Sequence, residues 1–198
     1  MKVINFFGAP GAGKSTASAG LFHEMKKQWI EAELVTEFAK ELVWAGSQHM
    51  LTQQHYVFAN QEHRLNRLVG QIDVAISDSP LLLSAYYAPS DYPESFSELV
   101  FDFFARYDNI NFFVNRSHRY SLKGRIQDEA AADAIAKQLK QFLHQNKVPF
   151  YEITAADTTP KYLMHWLVKE KMLPFVNELP HPLKPPSVSW QPPLIYAP

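Results

Sequence analysis

Short apolar runs alternate along the chain with longer stretches in which apolar residues recur every three or four positions, the periods of strand and helix. Lys2-Val3-Ile4-Asn5-Phe6-Phe7 is the first β-prone run, and from Lys14 to Trp29 the residues Leu21, Phe22, Met25 and Trp29 keep helical spacing. Glu33-Leu34-Val35-Thr36 predicts a second strand, ended by Glu37 and followed by a helix with Phe38, Ala39, Leu42, Val43 and Trp44 that Gly46 closes. A long helical pattern from Thr52 to Val69 leads to a third strand, Gln71 to Ser77, and to a further helix from Leu81 to Tyr87. An amphipathic helix, Glu94 to Tyr107, precedes a fourth strand, Asn109 to Val114. Gln127-Asp128-Glu129 opens a helix reaching Asn146, Val148 to Ile153 is the fifth strand, and a last helix holds Tyr162, Leu163, Trp166 and Leu167. Strands alternating with helices predict an α/β fold: a five-stranded parallel sheet with helices on both faces, in three layers.

The pattern stops near Leu173, after which eight of the 14 prolines occur. Proline cannot donate to a ladder and favours extended chain. We therefore divide the chain into a domain, 1–172, and a proline-rich tail, 173–198. Phe175, Trp190, Leu194, Ile195 and Tyr196 are most simply read as packing the tail back on the domain, the alternatives being a partner ligand or the arm of a homodimer.

Composition narrows the class. With 198 residues, 46% of them hydrophobic, the chain supplies one sizeable core. A formal charge of −1 gives no global basic field for sequence-independent binding to nucleic acid, and the absence of cysteine excludes disulfides and thiolate zinc sites. The first strand leaves no cleavable signal and no apolar run reaches membrane-spanning length, so a cytoplasmic protein without a membrane partner is expected. The eight histidines lack metal-site spacing.

The candidate chemistry begins between the first strand and the first helix. GAPGAGKST, Gly8 to Thr16, fits the phosphate-loop pattern G-x-x-x-x-G-K-S/T. Gly8, Gly11 and Gly13 let the backbone curl around Ala12 so that successive N–H groups form an anion nest, and the helix behind adds its positive end. Lys14 can reach the β- and γ-phosphates of a nucleoside triphosphate, the Ser15 hydroxyl can ligate Mg²⁺, and Thr16 sits one residue deeper. Asp78, directly after the third strand, is the carboxylate such a site needs to hold Mg²⁺ from the other side; the alternative is a turn-forming aspartate. Glu37, at the tip of the second strand, points into the crevice where open α/β sheets place ligands; as a bare helix N-terminal charge it would be unremarkable.

Two further segments are chemically loaded. In the helix after Thr52, Gln54 and Gln61 could pair with a base edge, Tyr56 or Phe58 could stack on a ring, and Arg64 lies on the same segment; a surface helix with an apolar inner side explains the same residues. After the fourth strand, Arg116, His118, Arg119, Lys123 and Arg125 crowd a short stretch. Cations at the ligand end of a sheet can close over phosphates and offset charge that develops during transfer, which predicts a lid over about 116–127.

Taken together, a phosphate loop after strand one, acids after strands two and three and a basic loop after strand four resemble the small P-loop kinases. GAPGAGKST is similar to the loop of nucleoside monophosphate kinases, although adenylate kinases usually have glycine where Ser15 stands. Glu37-Phe38-Ala39-Lys40-Glu41, Gln54-His55-Tyr56-Val57-Phe58 and Ser77-Asp78-Ser79-Pro80 resemble deoxynucleoside kinases and the ribosylnicotinamide-kinase-like ATPases of bacteria and their viruses. The resemblance implies a P-loop NTPase fold, ATP and Mg²⁺ as cofactors, a carboxylate base for which Glu37 is the leading choice and Asp78 the second, lid cations Arg116, Arg119, Lys123 and Arg125 on the donor phosphates, and an adenine site in the loop after the fifth strand. Deoxynucleoside kinases usually carry an arginine beside the third-strand acid, where this chain has Ser77 and Ser79. A GTPase reading fails because Asp78 is followed by Ser79-Pro80-Leu81, without the D-x-x-G glycine, and Asn146-Lys147-Val148-Pro149 lacks the guanine-reading aspartate. The expected activity is phosphoryl transfer from ATP to a nucleoside, a nucleotide or a modified nucleotide in DNA; a regulatory ATPase that gives the phosphate only to water is the alternative.

Overall fold

A computed structural model describes residues 1–117, 128–154, 156 and 159–173. The predicted tail from 174 onward and most of the predicted lid, including Arg119, Lys123 and Arg125, lie outside the described residues. Strands β1 (Lys2–Phe7), β2 (Ala32–Val35), β3 (Val74–Ser77), β4 (Asp108–Asn115) and β5 (Tyr151–Thr154) form one sheet in the order β2-β3-β1-β4-β5. Every pairing is parallel, with Asn5 opposite Ser77 on one side and opposite Asn111 on the other. This is the three-layer fold of P-loop NTPases. All carboxyl ends of the strands therefore open on one edge, and β1 and β3 end side by side.

The inner strands are mostly apolar because both faces are covered. On one face Ile4, Phe6, Ile76, Ile110, Phe112 and Val114 pack against α1 (Lys14–Lys27) and α7 (Thr159–Lys169). On the other, Val3, Phe7, Ala75 and Phe113 meet α3 (Gln54–Asn66), α4 (Leu82–Tyr86), α5 (Glu94–Ala105) and α6 (Glu129–Gln145). Gly20 sits where α1 meets α7, and a side chain there would collide with the Pro160 ring. Leu173 is fully buried in the first core, so the packed domain extends to the last described residue. No helix among the described residues is long and apolar enough to cross a membrane.

Several boundaries move for local reasons. Expected from Val148, β5 starts at Tyr151, since Pro149 has no N–H to donate to the ladder. Likewise β3, expected from Gln71, starts at Val74 after Gly70 turns the chain at φ +78°. Trp29, expected at the end of the first helix, lies beyond α1, which stops at Lys27; it has φ +59° and is 82% exposed. Trp44, expected within the second helix, ends α2 (Phe38–Trp44) and is 68% exposed. The buried face of α2 belongs instead to Phe38 and Leu42, which form a small satellite core with Val57.

One buried polar feature joins β1, β4 and the segment leading into β5. Asn5, 2% exposed, donates from Nδ2 to Oδ1 of Asn109 at 2.9 Å and of Asn111 at 3.0 Å. Asn111 in turn donates to the Pro149 carbonyl at 2.9 Å, beside the start of β5, and Asn109 to the carbonyls of Phe104 and Tyr107. A one-residue slip of β1 against β4 would strand these amides, so the ladder penalises any other register.

Candidate active site

The loop between β1 and α1 is built from backbone that only glycine adopts readily. Gly8, Gly11 and Gly13 have φ of 143°, 78° and 99°, and a Cβ on Gly8 would lie 2.8 Å from the Val114 carbonyl oxygen of the neighbouring strand. The Ala12 amide closes a turn onto the Ala9 carbonyl at 3.1 Å. Gly13 begins α1 without any side-chain cap, so the orphan N–H groups of the first turn are left for an anion. Lys14 lies over this loop, its Nζ donating to the carbonyls of Gly8 at 2.8 Å and Ala9 at 3.1 Å. Thr16 is exposed on the first turn of α1.

Parallel pairing of β1 with β3 brings Asp78 to this loop. Ser15 Oγ donates to Asp78 Oδ2 at 2.7 Å across 63 positions of sequence. Asp78 is 5% exposed, and its other oxygen, Oδ1, has no hydrogen-bond partner among the described residues. A buried carboxylate oxygen normally finds a donor or a cation. Hydroxyl and carboxylate oxygens are the hard donors that Mg²⁺ prefers, with phosphate and water completing its octahedron. The residues fit that ion: Ser15 and Asp78 would hold it.

Glu37 occupies the N-cap position of α2 at φ −67° and ψ 116°, yet its side chain makes no capping hydrogen bond. Capping is done from α3: Gln61 Oε1 accepts the Phe38 N–H at 2.9 Å, and its Nε2 donates to the Thr36 carbonyl at 3.3 Å. Arg64 adds a bidentate pair with Glu41, at 2.8 and 2.6 Å, and lies over the Phe38 ring at 5.1 Å. The Arg64 guanidinium holds the Glu41 carboxyl below its ordinary pKa, chiefly through these hydrogen bonds. The segment bearing Glu37 is thus braced on both sides.

Glu37, Ser15 and Asp78 face one cavity of about 290 Å³, walled also by Ser18, Ala19, Leu34, Thr36, Lys40, Glu41 and Trp44. Tyr87, directly after α4, is 38% exposed as a whole, but desolvation around its phenol raises the pKa, followed by Tyr86 and the negative charge of Glu37.

The residues expected to form an acceptor pocket on α3 do not line this cavity. Gln54 is buried and donates to the Leu51 carbonyl at 2.7 Å, Gln61 is the brace just described, and Phe58 is buried against Phe96 and Phe103. Tyr56 is partly exposed with its edge toward Phe38, and Arg64 is engaged with Glu41. Burial and backbone bonding occupy the amides that were read as base-pairing groups. Of the cavity walls that local pattern does not single out, Lys40 and Trp44 lie on the α2 face opposite Phe38 and Leu42, and Glu41 lies at its flank beside Arg64. Their signal was the polar half of a short helix, which by itself points nowhere.

Of the expected lid, Arg116 is described. Its guanidinium bridges Glu129 at 2.7 Å and Asp133 at 2.5 Å, one turn apart at the start of α6. It stands just past β4, the strand whose Val114 carbonyl abuts Gly8.

A family model described as an AAA domain matches residues 3–159. The chain belongs to this AAA-domain family. Among solved structures, the AAA-domain protein is similar to deoxyadenosine kinase from M. mycoides with bound dATP, at 20% identity and a TM-score of 0.50, over 83% of this chain and 98% of that one. The same kinase with products dCMP and dCDP aligns at 19% identity and a TM-score of 0.49, with the same coverage. At these identities the likeness is one of fold. A search of curated proteins found no match.

Proposed function

We propose that this AAA-domain protein is an ATP- and Mg²⁺-dependent kinase that moves the γ-phosphoryl group of ATP to a hydroxyl or phosphate oxygen of a nucleoside, a nucleotide or a modified nucleotide in DNA. The observation that carries the reading is the 2.7 Å contact of Ser15 with Asp78, made in a cavity that also holds Glu37. A hydrolase and an acceptor kinase both need the loop, the acid and a group that orients the nucleophile; a kinase also needs a space large enough for an organic acceptor, and Glu37 faces one of about 290 Å³. The fold shared with a deoxyadenosine kinase agrees with this choice.

In this reading the amides of Gly11 to Ser15 bind the donor phosphates. Lys14 leaves the Gly8 and Ala9 carbonyls to bridge the β- and γ-phosphates, trading neutral hydrogen bonds for charge-assisted ones. Ser15 and Asp78 would hold Mg²⁺, which would supply charge neutralisation to the donor phosphates. For a hydroxyl acceptor, Glu37 takes the proton as the oxygen bonds to the γ-phosphorus and the bond to the ADP oxygen breaks. Arg116, with Arg119, Lys123 and Arg125, is assigned to the phosphates on the open side.

Incubation with γ-labelled ATP and a panel of nucleosides, nucleotides and DNA tests the proposal through the appearance of a labelled organic product. Lys14→Ala should abolish transfer, whereas Glu37→Gln should bind ATP as well as the unmodified protein and lose transfer. Label recovered only as inorganic phosphate would instead support a regulatory ATPase.

A further inference from the structure

The cavity beside the phosphate loop contains groups that phosphoryl transfer as such does not use. Glu37, Lys40 and Trp44 lie three and four positions apart, so they line one side of α2 in that order, from the reacting centre outward. From Glu37 to Trp44 the helix rises roughly 10 Å. Ser18, Ala19 and Leu34 form the facing wall.

Lys40 is half-buried and makes no hydrogen bond or ion pair among the described residues. Its acidic neighbour Glu41 is already paired with Arg64, and Asp78 is bonded to Ser15. Lys40 is therefore the cation in the cavity wall with unmet donors, placed between a carboxylate and an exposed indole. An ammonium in a cavity wall whose donors no side chain takes is available to an anionic ligand atom. Trp44, 68% exposed at the rim, offers a flat face on which a ring can stack while the rest of a longer ligand stays in solvent.

We propose that the acceptor of this cavity is a nucleotide that already carries a phosphate, with its ring stacked on Trp44, its phosphate or phosphodiester on Lys40 and its reacting oxygen toward Glu37. A bare nucleoside leaves Lys40 unsatisfied. The inference rests on the kinase reading above and deepens it by naming the acceptor class and two residues that select it. A free mononucleotide and a residue within a DNA strand present the same two features, a ring and an adjacent phosphate, at this distance scale.

The test is steady-state transfer from saturating ATP by the full chain to a nucleoside, its 5′-monophosphate and a single-stranded oligonucleotide of the same base. A phosphate-bearing acceptor should show a KM at least about tenfold below that of the nucleoside. Lys40→Gln should raise that KM about tenfold, with kcat within about threefold and the nucleoside KM unchanged. Trp44→Ala should raise KM for the same acceptor about tenfold and Trp44→Phe should restore most of it. Preference for the monophosphate or for the oligonucleotide identifies the source of the phosphate, and either supports the proposal. Transfer that favours the nucleoside, or a Lys40→Gln effect equal for all three acceptors, overturns it while leaving a kinase. Hydrolysis of ATP with no labelled acceptor in any arm overturns the kinase reading and this inference with it.

Discussion

Gln61 Oε1 accepts the N–H of Phe38 at 2.9 Å, so a side chain from α3 caps the helix whose own N-cap residue is Glu37. This separates two duties that one residue often combines. The N-cap side chain usually satisfies the first amides of its helix; here that is done from 23 positions away, and the Glu37 carboxylate faces the cavity instead. Gln61→Leu should therefore lower stability by about 1–3 kcal/mol, because it strands a buried amide. It should also reduce kcat with little change in the KM for ATP. Thermal melts and acceptor kinetics on the same preparation check both.

Asp78 tests the metal assignment. Asp78→Asn keeps the size and the capacity to accept from Ser15 but removes the charge, so the Mg²⁺ concentration for half-maximal activity should rise about tenfold or more. The fold should persist, since the Ser15 contact survives. A Mg²⁺ titration of activity, read beside a melting curve, measures this; an unchanged titration would remove Asp78 from the metal site.

The Glu41–Arg64 pair gives a pH dependence with a definite sign. The Glu41 carboxyl is held below its ordinary value of 4.5 in the folded chain. A depressed folded pKa contributes stability that is present above the unfolded value and is lost as pH falls through the folded one. The pair is exposed, so the whole effect should lie within about 1 kcal/mol. Compared with Arg64→Ala, the unmodified protein should be more stable at neutral pH, and the gap should narrow in acid below the ordinary carboxylate range to what the Phe38 and Thr36 contacts of Arg64 supply. Urea midpoints at a series of acidic pH values follow it.

Asn5 tests the strand register. Asn5→Leu fills the same space but leaves Oδ1 of Asn111 in a buried setting, and of Asn109 in a part-buried one, without their donor. The expected cost is about 2–5 kcal/mol, from two unsatisfied acceptors. A urea midpoint that shifts at constant slope would record it, and a shift no larger than that of an exposed substitution would show the ladder to be dispensable.

Much of the architecture could be read from local pattern. Glycine spacing around Lys14 and the β-prone run before it depend only on what a few consecutive residues can do, and the loop lies where they placed it. The alternation of strand and helix periods carried the parallel sheet, since parallel neighbours need a crossover between them. Errors of a few residues at β3 and β5 trace to Gly70 and Pro149, whose effect on the ladder is also local.

The roles of individual side chains on α2 and α3 were of another kind. Gln54, Phe58 and Gln61 carry the chemistry of a base-reading pocket on paper, but which way a helix face turns is set by its neighbours. Packing against Phe38, Leu42, Phe96 and Phe103 turned those residues inward and left Lys40 and Trp44 on the cavity wall. The sequence by itself determined a phosphate-binding turn at the head of a parallel α/β sheet, because glycine torsions and apolar periods act over short range. Only the tertiary structure decided that Ser15 meets Asp78 and that α2 walls the cavity beside them, because both follow from the order β2-β3-β1 and from how two helices share one small core.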